Sequence, residues 1–405
     1  MKTVAIISEY NPFHSGHLYQ INKIREKLGE NTAVVAVMSG SFTQRGEIAC
    51  ADKLTRARAA VECGVDLVLE IPFPFSASSA ELYARAGVGI ADAIGVVDYL
   101  AFGSEDGDIS RLRAVAELTE TRDFKELIEA MRADESNREL GYPRMLELAA
   151  KQLCDASLEG LFTPNNILAI EYLRAIKALG SKMQPFTVKR VGAGYNETTE
   201  VEGEFQSASL IRELTLSDPD KALSYLPHGS REVYSRAMEN GLFPTEQSRL
   251  DSAVISSFRL SSPVPSDDIH DATGGLYNRL HDLSFEADSI SSLISSAETK
   301  KYTRARIRRA IWNSFFGVTS SEAKDLPEYT QLLGCNGVGR ELLRKIKKCG
   351  RIAVITKPSE YFDLGDKVIR QKELCDKADS VFALAHKRAV SGRFALKLTP
   401  FVKKD

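Results

Sequence analysis

Residues 4–17 read VAIISEYNPFHSGH, and this stretch decides the fold. Its first four residues are apolar, which predicts a short buried strand. Asn11-Pro12 then predicts a turn, because proline fixes its own φ and biases the preceding residue away from the helical region. From Ser15 onward, apolar residues recur with the period of a helix. We therefore expect a strand, a tight turn and a helix in immediate succession.

Two histidines flank a glycine where this helix begins. His14 and His17 are spaced so that both lie on one face of the first helical turn. That turn also carries unpaired backbone N–H groups and the positive end of the helix dipole, which together attract anions. Gly16 lets a phosphate or a base approach the backbone closely. Imidazoles placed there can stabilise charge in an in-line displacement at phosphorus, so we interpret His14 and His17 as catalytic residues of nucleotidyl transfer.

Other interpretations of the two histidines remain open. Each could be an ordinary core or surface residue. The pair could also hold a metal, but zinc sites need three or four ligands and the neighbouring sequence offers no evident third one. We therefore expect no metal site. The chain also contains neither a GxxxxGK[ST] loop nor a strand-linked GxGxxG motif.

Apolar segments alternate with helical patterns through the first part of the chain. Strands are predicted at 4–7, 33–38, 65–69, 99–102 and 186–191, and helices at 18–28, 52–62 and 79–94. This alternation predicts an α/β fold with a parallel sheet, whose ligands bind at the carboxyl ends of the strands.

The remaining chain reads as mainly α-helical. Residues 108–180 are predicted to be helical, and a helical period returns from about residue 205. We place a domain boundary near 200, giving a catalytic domain of residues 1–200 and a helical domain of residues 201–405. A further strand is expected at 352–356, and 380–384 is a second candidate.

Three polar segments each admit a structural and a functional interpretation. Residues 38–47 (MSGSFTQRGE) form either an ordinary loop or a wrap around a nucleotide or second substrate. Ser207 and Ser209 are either helix caps or groups that close over a triphosphate. Asn165 and Asn166 are typical of a helix cap, and either could also contact a ribose or base edge.

Charge is unevenly distributed. Residues 300–351 hold 13 Lys/Arg against 4 Asp/Glu, a net +9, while the whole chain carries −2 and the rest of it therefore −11. Such a basic surface is the footprint of a polyanion partner, although a solvated helix face is the usual alternative. We predict RNA contacts at Lys300, Lys301, Arg304 and Arg308. Residues 333–340 weakly resemble a hairpin that meets a phosphate backbone.

Cysteine usage and hydropathy indicate a cytoplasmic location. The six cysteines show no CxxC spacing, which is typical of reduced thiols in a cytosolic protein. The apolar start is only four residues long, so no signal peptide is expected, and no apolar run approaches the length of a membrane span. The sequence does not indicate an oligomeric state.

Four segments together resemble the bacterial tRNA(Met) cytidine acetate ligases: residues 9–17, 38–47, 102–105 and 165–168. The resemblance implies a Rossmann-like nucleotidyltransferase domain of the HUP type. It also implies that ATP activates acetate to acetyl-adenylate with release of pyrophosphate. The N4 amine of the wobble cytidine of elongator tRNA(Met) would then attack the acyl carbon, giving N4-acetylcytidine and AMP.

The same resemblance implies a set of ATP contacts, with Mg²⁺ accompanying the nucleotide. They are Ile7, Ser8, Glu9, Tyr10, Asn11, Pro12, Phe13, His14, Ser15, Gly16, His17, Leu18, Tyr19, Gln20, Gly103, Asn166 and Arg190.

Two other functions are kept as alternatives. The chain could be a nucleotidyltransferase that makes a nucleotide-containing coenzyme from a small phosphate substrate, although its large basic C-terminal part argues against this. It could also be a non-catalytic RNA-binding protein with a relic nucleotide site.

Overall fold

A single mixed sheet organises the chain in the computed structural model. The structure describes residues 1–134, 142–154, 158, 160–191, 205–262, 268–357, 360–397 and 399–404. The described strands are β1 (Thr3–Ser8), β2 (Ala33–Ser39), β3 (Leu67–Ile71), β4 (Tyr99–Ser104), β5 (Gln184–Lys189), β6 (Tyr329–Cys335), β7 (Ala353–Ile355) and β8 (Phe401–Val402).

The strand order is β5-β4-β1-β2-β3-β6-β7, with β8 pairing to β6. Strands β1 to β5 pair in parallel, so their carboxyl ends meet at one edge. Strand β6 is antiparallel to β3, and β7 and β8 pair with β6 in parallel. The predicted α/β fold with a parallel sheet is confirmed.

Helices surround this sheet and form most of the C-terminal part. They are α1 (Ser15–Leu28), α2 (Lys53–Glu62), α3 (Ala80–Ala93), α4 (Ile109–Glu120), α5 (Arg122–Ala133), α6 (Tyr142–Leu153), α7 (Pro164–Ala178), α8 (Ala208–Ser217), α9 (Pro219–Ser224), α10 (His228–Glu239), α11 (Asp251–Leu260), α12 (Leu276–Ser284), α13 (Ile290–Ala297), α14 (Arg304–Phe316), α15 (Ser320–Lys324), α16 (Gly337–Cys349), α17 (Asp366–Phe382) and α18 (Phe394–Lys397). Within the described residues, none of these helices is long and apolar enough to cross a membrane.

The strands are apolar on both faces because helices cover both. In β1, Ala5 and Ile7 join a core built with α3, α4 and α7, whereas Val4 and Ile6 join a core built with α1 and α2. Neighbouring side chains of a strand point to opposite faces, so one short apolar run supplies both cores. Strands that are buried on both faces are continuous apolar runs, which explains why they could be predicted from the sequence.

The C-terminal part completes the sheet instead of standing apart from it. Strand β7 confirms the strand expected at 352–356, while β6 and β8 were not predicted. The candidate strand at 380–384 is wrong, because this segment ends α17 and continues as a short 3₁₀ turn. Val368, Cys375 and Phe382 are buried along one face of α17, a helical and not a strand period. The boundary proposed near residue 200 lies outside the described residues.

A buried ion cluster joins α17 to the sheet. Lys53 Nζ on α2 lies 2.8 Å from both carboxylate oxygens of Glu70 on β3 and 2.7 Å from Asp379 Oδ2 on α17. Asp379 Oδ1 also accepts a 2.6 Å hydrogen bond from Ser41. Burial disfavours the charged ammonium, but the Asp379 and Glu70 carboxylates raise the pKa of Lys53 well above its ordinary value. Although Glu70, Cys375 and Asp379 are spaced like metal ligands, the ammonium already supplies the cation there.

We expect Asp379→Ala to lower the free energy of unfolding by about 3–5 kcal/mol, because it leaves the Lys53–Glu70 cluster short of one buried carboxylate. Denaturant unfolding measures this change. Glu373→Ala, at an exposed position of the same helix, is the control and should stay within about 0.5 kcal/mol of the native chain. Equal losses in the two variants would contradict the prediction.

Candidate active site

The turn between β1 and α1 places both histidines at the carboxyl edge of the sheet. His14 is the N-cap of α1, and its Nδ1 accepts a 3.1 Å hydrogen bond from the backbone N–H of Gly16. The backbone N–H of His14 in turn donates to Nδ1 of His17 over 3.2 Å. The two rings lie with centroids 3.9 Å apart. Each imidazole therefore completes the cap of the helix that carries it.

These hydrogen bonds assign the tautomers. Because Nδ1 of both His14 and His17 accepts a backbone N–H, the proton of each neutral ring lies on Nε2. The Nε2–H groups are thus left to serve as donors toward a ligand in the cavity that both rings line.

Both rings are held in the neutral state. Burial, together with the nearby guanidinium groups of Arg190 and Arg212, lowers the pKa of His14 to about 3. Burial likewise lowers the pKa of His17 well below its ordinary value, helped by His14 and Arg190. The site therefore presents uncharged N–H donors beside fixed guanidinium charges.

A cavity of about 400 Å³ opens at this edge of the sheet. The predicted residues that line it are Ile7, Ser8, Glu9, Tyr10, Asn11, His14, His17, Gln20, Gly103 and Arg190. A smaller cavity of about 40 Å³ shares the two histidines and adds Gly16 and Tyr19. Most of the contacts implied by the resemblance are thus brought together around one space large enough for a nucleotide.

Four of the remaining predicted contacts shape the turn without lining either cavity. Phe13 is fully buried in the core under α1 and α2, where Leu18 packs at its margin. The Ser15 hydroxyl donates to the backbone oxygen of Tyr225 over 3.0 Å. Pro12 is buried beside them. We assign these residues a structural part in holding the histidines.

Asn166 is engaged in a clasp between β4 and α7. Its Oδ1 accepts the backbone N–H groups of Glu105 and Asp106 over 2.9 and 3.3 Å. The Glu105 carboxylate returns the contact by accepting the backbone N–H of Asn166 over 2.9 Å and the Asn165 amide over 2.6 Å. Asn165, and not Asn166, lines the large cavity. The N-cap of α7 is Thr163, so the cap interpretation of the asparagine pair is wrong; both lie in the first turn, and Asn165 faces the ligand space.

Gly103 lies where a side chain would displace Arg190. A Cβ at position 103 would stand 3.2 Å from Cγ and 3.6 Å from Cδ of Arg190, tighter than most real contacts for the nearer atom. The backbone N–H of Arg190 bonds to the oxygen of Ser104 across the β4–β5 pair over 2.9 Å. The missing side chain thus lets the arginine lie across the end of β4.

Sequence reasoning overlooked the network that fixes the loop after β2. Glu9 accepts the backbone N–H of Gln44 over 2.9 Å, and burial raises the pKa of this carboxyl group. Arg56, fully buried on α2, donates to the backbone oxygens of Ala51, Glu9 and Gly40. These bonds tie the β1 and β2 ends together, and only the tertiary structure reveals them.

Helix α8 covers the other side of the cavity. Ser207 caps it by accepting the backbone N–H of Leu210 over 3.0 Å, so the capping interpretation is correct. Ser207, Ser209 and Arg212 also line the cavity, which is compatible with the functional interpretation. Arg212 donates to the backbone oxygen of Asn11 over 2.9 Å and so bridges α8 to the histidine turn.

The predicted RNA contacts have internal partners. Lys301 donates to the backbone oxygen of Gly274 over 3.0 Å, and Arg304 pairs with Glu298 over 2.7 Å. Arg308 pairs with Glu47 over 2.7 Å and is three-quarters buried. Lys300 and Arg304 remain exposed, and Ala305 next to them lines the cavity.

The hairpin-like segment 333–340 packs against the sheet. It comprises the end of β6 and the start of α16, where Asn336 caps the helix and bonds to Asp66 over 2.8 Å. A Cβ at Gly339 would stand 2.0 Å from the backbone oxygen of Asp66. The glycine serves close packing against the sheet.

The remaining cavity-lining residues were not predicted as individual contacts. They are Ile6, Gln44, Arg45, Ala80, Tyr83, Phe102, Pro164, Ile167, Leu168, Tyr172, Ala208 and Ala305. Gln44 and Arg45 belong to the segment 38–47 that could wrap a substrate, whereas Tyr83 and Tyr172 are buried residues of α3 and α7.

A family model and curated relatives match most of the chain. The family model described as HIGH Nucleotidyl Transferase matches residues 1–393. The tRNA(Met) cytidine acetate ligase of Thermoanaerobacter sp. (strain X514) is 34% identical over 397 residues, covering 96% of this chain and 96% of that protein. That of Syntrophotalea carbinolica is 38% identical over 368 residues, covering 89% and 86%.

Two solved structures of Thermotoga maritima TmcAL are similar over the whole length of both chains. The apo form I matches with a TM-score of 0.91 and 30% identity, covering 100% of each chain. The form II crystal, bound with alpha-thio ATP, matches with a TM-score of 0.88 and 29% identity, again covering 100% of each.

We expect both imidazoles to remain neutral Nε2–H tautomers from about pH 8 to about pH 5, because the pKa of His14 is about 3 and that of His17 is also depressed. Long-range ¹H–¹⁵N NMR correlations of the imidazole rings report this directly. In the unfolded state in urea, the pKa of both rings should be about 6.5. The unfolded state then binds protons that the folded state does not, so the free energy of unfolding should fall as the pH drops below about 6.5. An imidazolium signal from either folded ring above about pH 5 would refute the assignment.

Proposed function

The chain belongs to the HIGH nucleotidyl transferases and, among them, to the tRNA(Met) cytidine acetate ligase family, and on this premise we propose that it acetylates the wobble cytidine of elongator tRNA(Met) with acetate and ATP. The family predicted from the sequence is thereby confirmed. The observation that carries the proposal is the pair of imidazoles of His14 and His17, which cap α1 through Nδ1 and line a nucleotide-sized cavity at the carboxyl edge of the sheet.

The first step is adenylation of acetate. An acetate oxygen attacks the α-phosphorus of ATP, the bond from this phosphorus to the β-phosphate bridging oxygen breaks, and pyrophosphate leaves. His14 and His17 donate hydrogen bonds to the phosphate oxygens on which charge develops. Arg190 and Arg212 line the same cavity and add positive charge near these rings. Positioning and charge stabilisation suffice, so no covalent enzyme intermediate is needed.

The second step transfers the acetyl group to RNA. The N4 amine of cytidine attacks the acyl carbon, the mixed-anhydride C–O bond breaks, and AMP leaves while the nitrogen loses a proton. Because this step needs the same activated carbonyl, the base must enter the cavity in which the adenylate is formed. Ala305, at the start of α14, lines that cavity and marks a mouth through which RNA can reach it.

Magnesium is expected with the nucleotide. Among the described residues that line the large cavity, Glu9 is the carboxylate. It suits an ion that takes most of its ligands from substrate phosphates and water, with one or two from protein carboxylates. Bound there, Mg²⁺ would neutralise phosphate charge.

Lys300, Lys301 and Arg304 precede this mouth, and we propose that they contact the tRNA backbone. All three side chains are exposed, and the bonds of Lys301 to the Gly274 oxygen and of Arg304 to Glu298 leave further N–H donors for phosphate. The free cysteines agree with a reducing compartment, and we propose that the enzyme acts in the cytoplasm.

Acetate-dependent exchange of labelled pyrophosphate into ATP tests the adenylation step. We expect His14→Ala and His17→Ala each to reduce the exchange rate by about 10²–10³-fold, the usual cost of losing one donor. His14→Asn keeps a capping oxygen and should fold like the native chain while losing most of the activity. The exposed His228→Ala is the matched control and should retain the native rate.

Mass analysis of tRNA nucleosides after incubation with ATP and isotope-labelled acetate tests the whole reaction. Labelled N4-acetylcytidine is the expected product. Exchange without acetate, or with a small phosphate substrate instead, would favour a coenzyme-forming nucleotidyltransferase. Tight RNA binding with no ATP turnover would favour a non-catalytic RNA-binding protein.

Salt dependence of tRNA binding tests the basic contacts. Lys300→Ala, Lys301→Ala and Arg304→Ala should each weaken binding and reduce the slope of log K against log salt by about 1 per lost phosphate contact. Lys125→Ala, at an exposed site on α5, is the control with no expected change. Unchanged slopes in all three variants would remove these residues from the RNA interface.

A further inference from the structure

Glu47 pairs with two arginines, Arg212 of the large cavity and Arg308 of α14. Its Oε2 lies 3.2 Å from Nη2 of Arg212, and its Oε1 lies 2.7 Å from Nη1 of Arg308. The three side chains are about equally shielded, with 30%, 25% and 26% of each exposed. One carboxylate therefore bridges two guanidinium groups in a partly desolvated setting, where such pairs are stronger than on an open surface.

Arg212 is the member of this chain that reaches the ligand space. It lines the large cavity, donates to the Asn11 backbone oxygen over 2.9 Å and approaches Ser209 Oγ at 3.3 Å. Its charge contributes to the low pKa of His14. The remaining freedom of this guanidinium is limited by its contact with Glu47.

Helix α14 fixes the turn that carries Glu47. The indole N–H of Trp312 donates to the backbone oxygen of Gly46 over 2.8 Å. Gly46 has φ +73°, and a Cβ there would stand 2.7 Å from the backbone nitrogen of Arg309. Only glycine combines this backbone conformation with so close an approach. A hydrogen bond within the turn also closes it: the backbone N–H of Thr43 donates to the backbone oxygen of Glu47 over 2.9 Å.

The opposite side of the same turn touches the catalytic strand ends. The backbone N–H of Gln44 donates to Glu9, which lines the cavity. Residues 43–47 therefore form a bridge with α14 on one side and the adenylation site on the other. The pairs Arg308–Glu47 and Glu47–Arg212 therefore form a direct side-chain route from α14 to the cavity.

From this chain of contacts we infer that Glu47 and Arg308 are positioning residues for adenylation, which hold Arg212 against the triphosphate, and that Arg308 does not contact RNA. The inference rests on the proposed function and reassigns one of its predicted RNA contacts. Arg308 is about three-quarters shielded and pairs with Glu47, so a phosphate that recruited it would compete with Glu47 for the same guanidinium. Arg304, one turn earlier on α14, is more exposed and does not line this bridge.

Acetate-dependent pyrophosphate exchange without RNA separates these roles. We expect Glu47→Gln and Arg308→Met each to lower kcat/KM for ATP by about tenfold, and the double variant also by about tenfold, because both remove the same coupling. Arg308→Lys keeps a cation for the single Nη1 contact and should lose no more than about threefold. Glu298→Gln, which removes the carboxylate that pairs with Arg304 on the same helix, is the matched control and should retain the native rate.

Two further measurements exclude a merely structural effect. The thermal midpoints of the variants should match that of the control, and ATP binding measured by calorimetry should weaken together in Glu47→Gln and Arg308→Met. The salt slope of tRNA binding should be the same for Arg308→Met and the native chain, because no phosphate contact is lost.

The inference is overturned if Arg308→Met keeps native exchange and ATP affinity, or if it reduces the salt slope by about 1. It is also overturned if effects in the double variant multiply to about a hundredfold, or if Glu298→Gln loses as much as Glu47→Gln. Failure of the native chain to exchange pyrophosphate would instead refute the proposed function, and the positioning role would then be judged on ATP affinity alone.

Discussion

The reciprocal cap between His14 and His17 is the constraint on which the site depends. A helix start needs acceptors for its free N–H groups, and here imidazole nitrogens supply them. The same bonds that begin α1 force the proton of each ring onto Nε2. The bonds that cap the helix thus also fix the orientation of each ring. A ring that turned to present Nδ1 to a phosphate would lose its capping bond to α1.

Neutral donors suit this position because the positive charge comes from elsewhere. Arg190 enters from the end of β5 and Arg212 from α8, and both guanidinium groups lower the pKa of His14. A charged imidazole between them would be repelled and poorly solvated. In the proposed mechanism the arginines therefore supply positive charge, and the histidines supply hydrogen bonds to the reacting phosphate.

The parts of the molecule that could be predicted from sequence are those built from local patterns. The β1 strand, the turn and α1 were legible because their residues contact one another within a few positions. Strand β6 was missed because it joins β3 from more than two hundred residues away, and its apolar run alone does not distinguish a strand from a helix. The contact of Asn166 Oδ1 with the loop after β4 could not be predicted, because it joins residues about sixty positions apart.

The net charge of α14 likewise predicts only part of what its residues do. The excess of arginine and lysine correctly identifies an unusual helix, but a charge count does not distinguish exposed cations from those that face the protein interior. Arg308 and Arg309 point into the protein and pair with Glu47 and Asp271, while Arg304 faces outward. A helix packed on one side must direct part of its charge inward, where each cation needs a carboxylate or carbonyl partner. We therefore propose RNA contacts only for the exposed beginning of α14, whereas its inward-facing arginines pair with carboxylates of the protein itself.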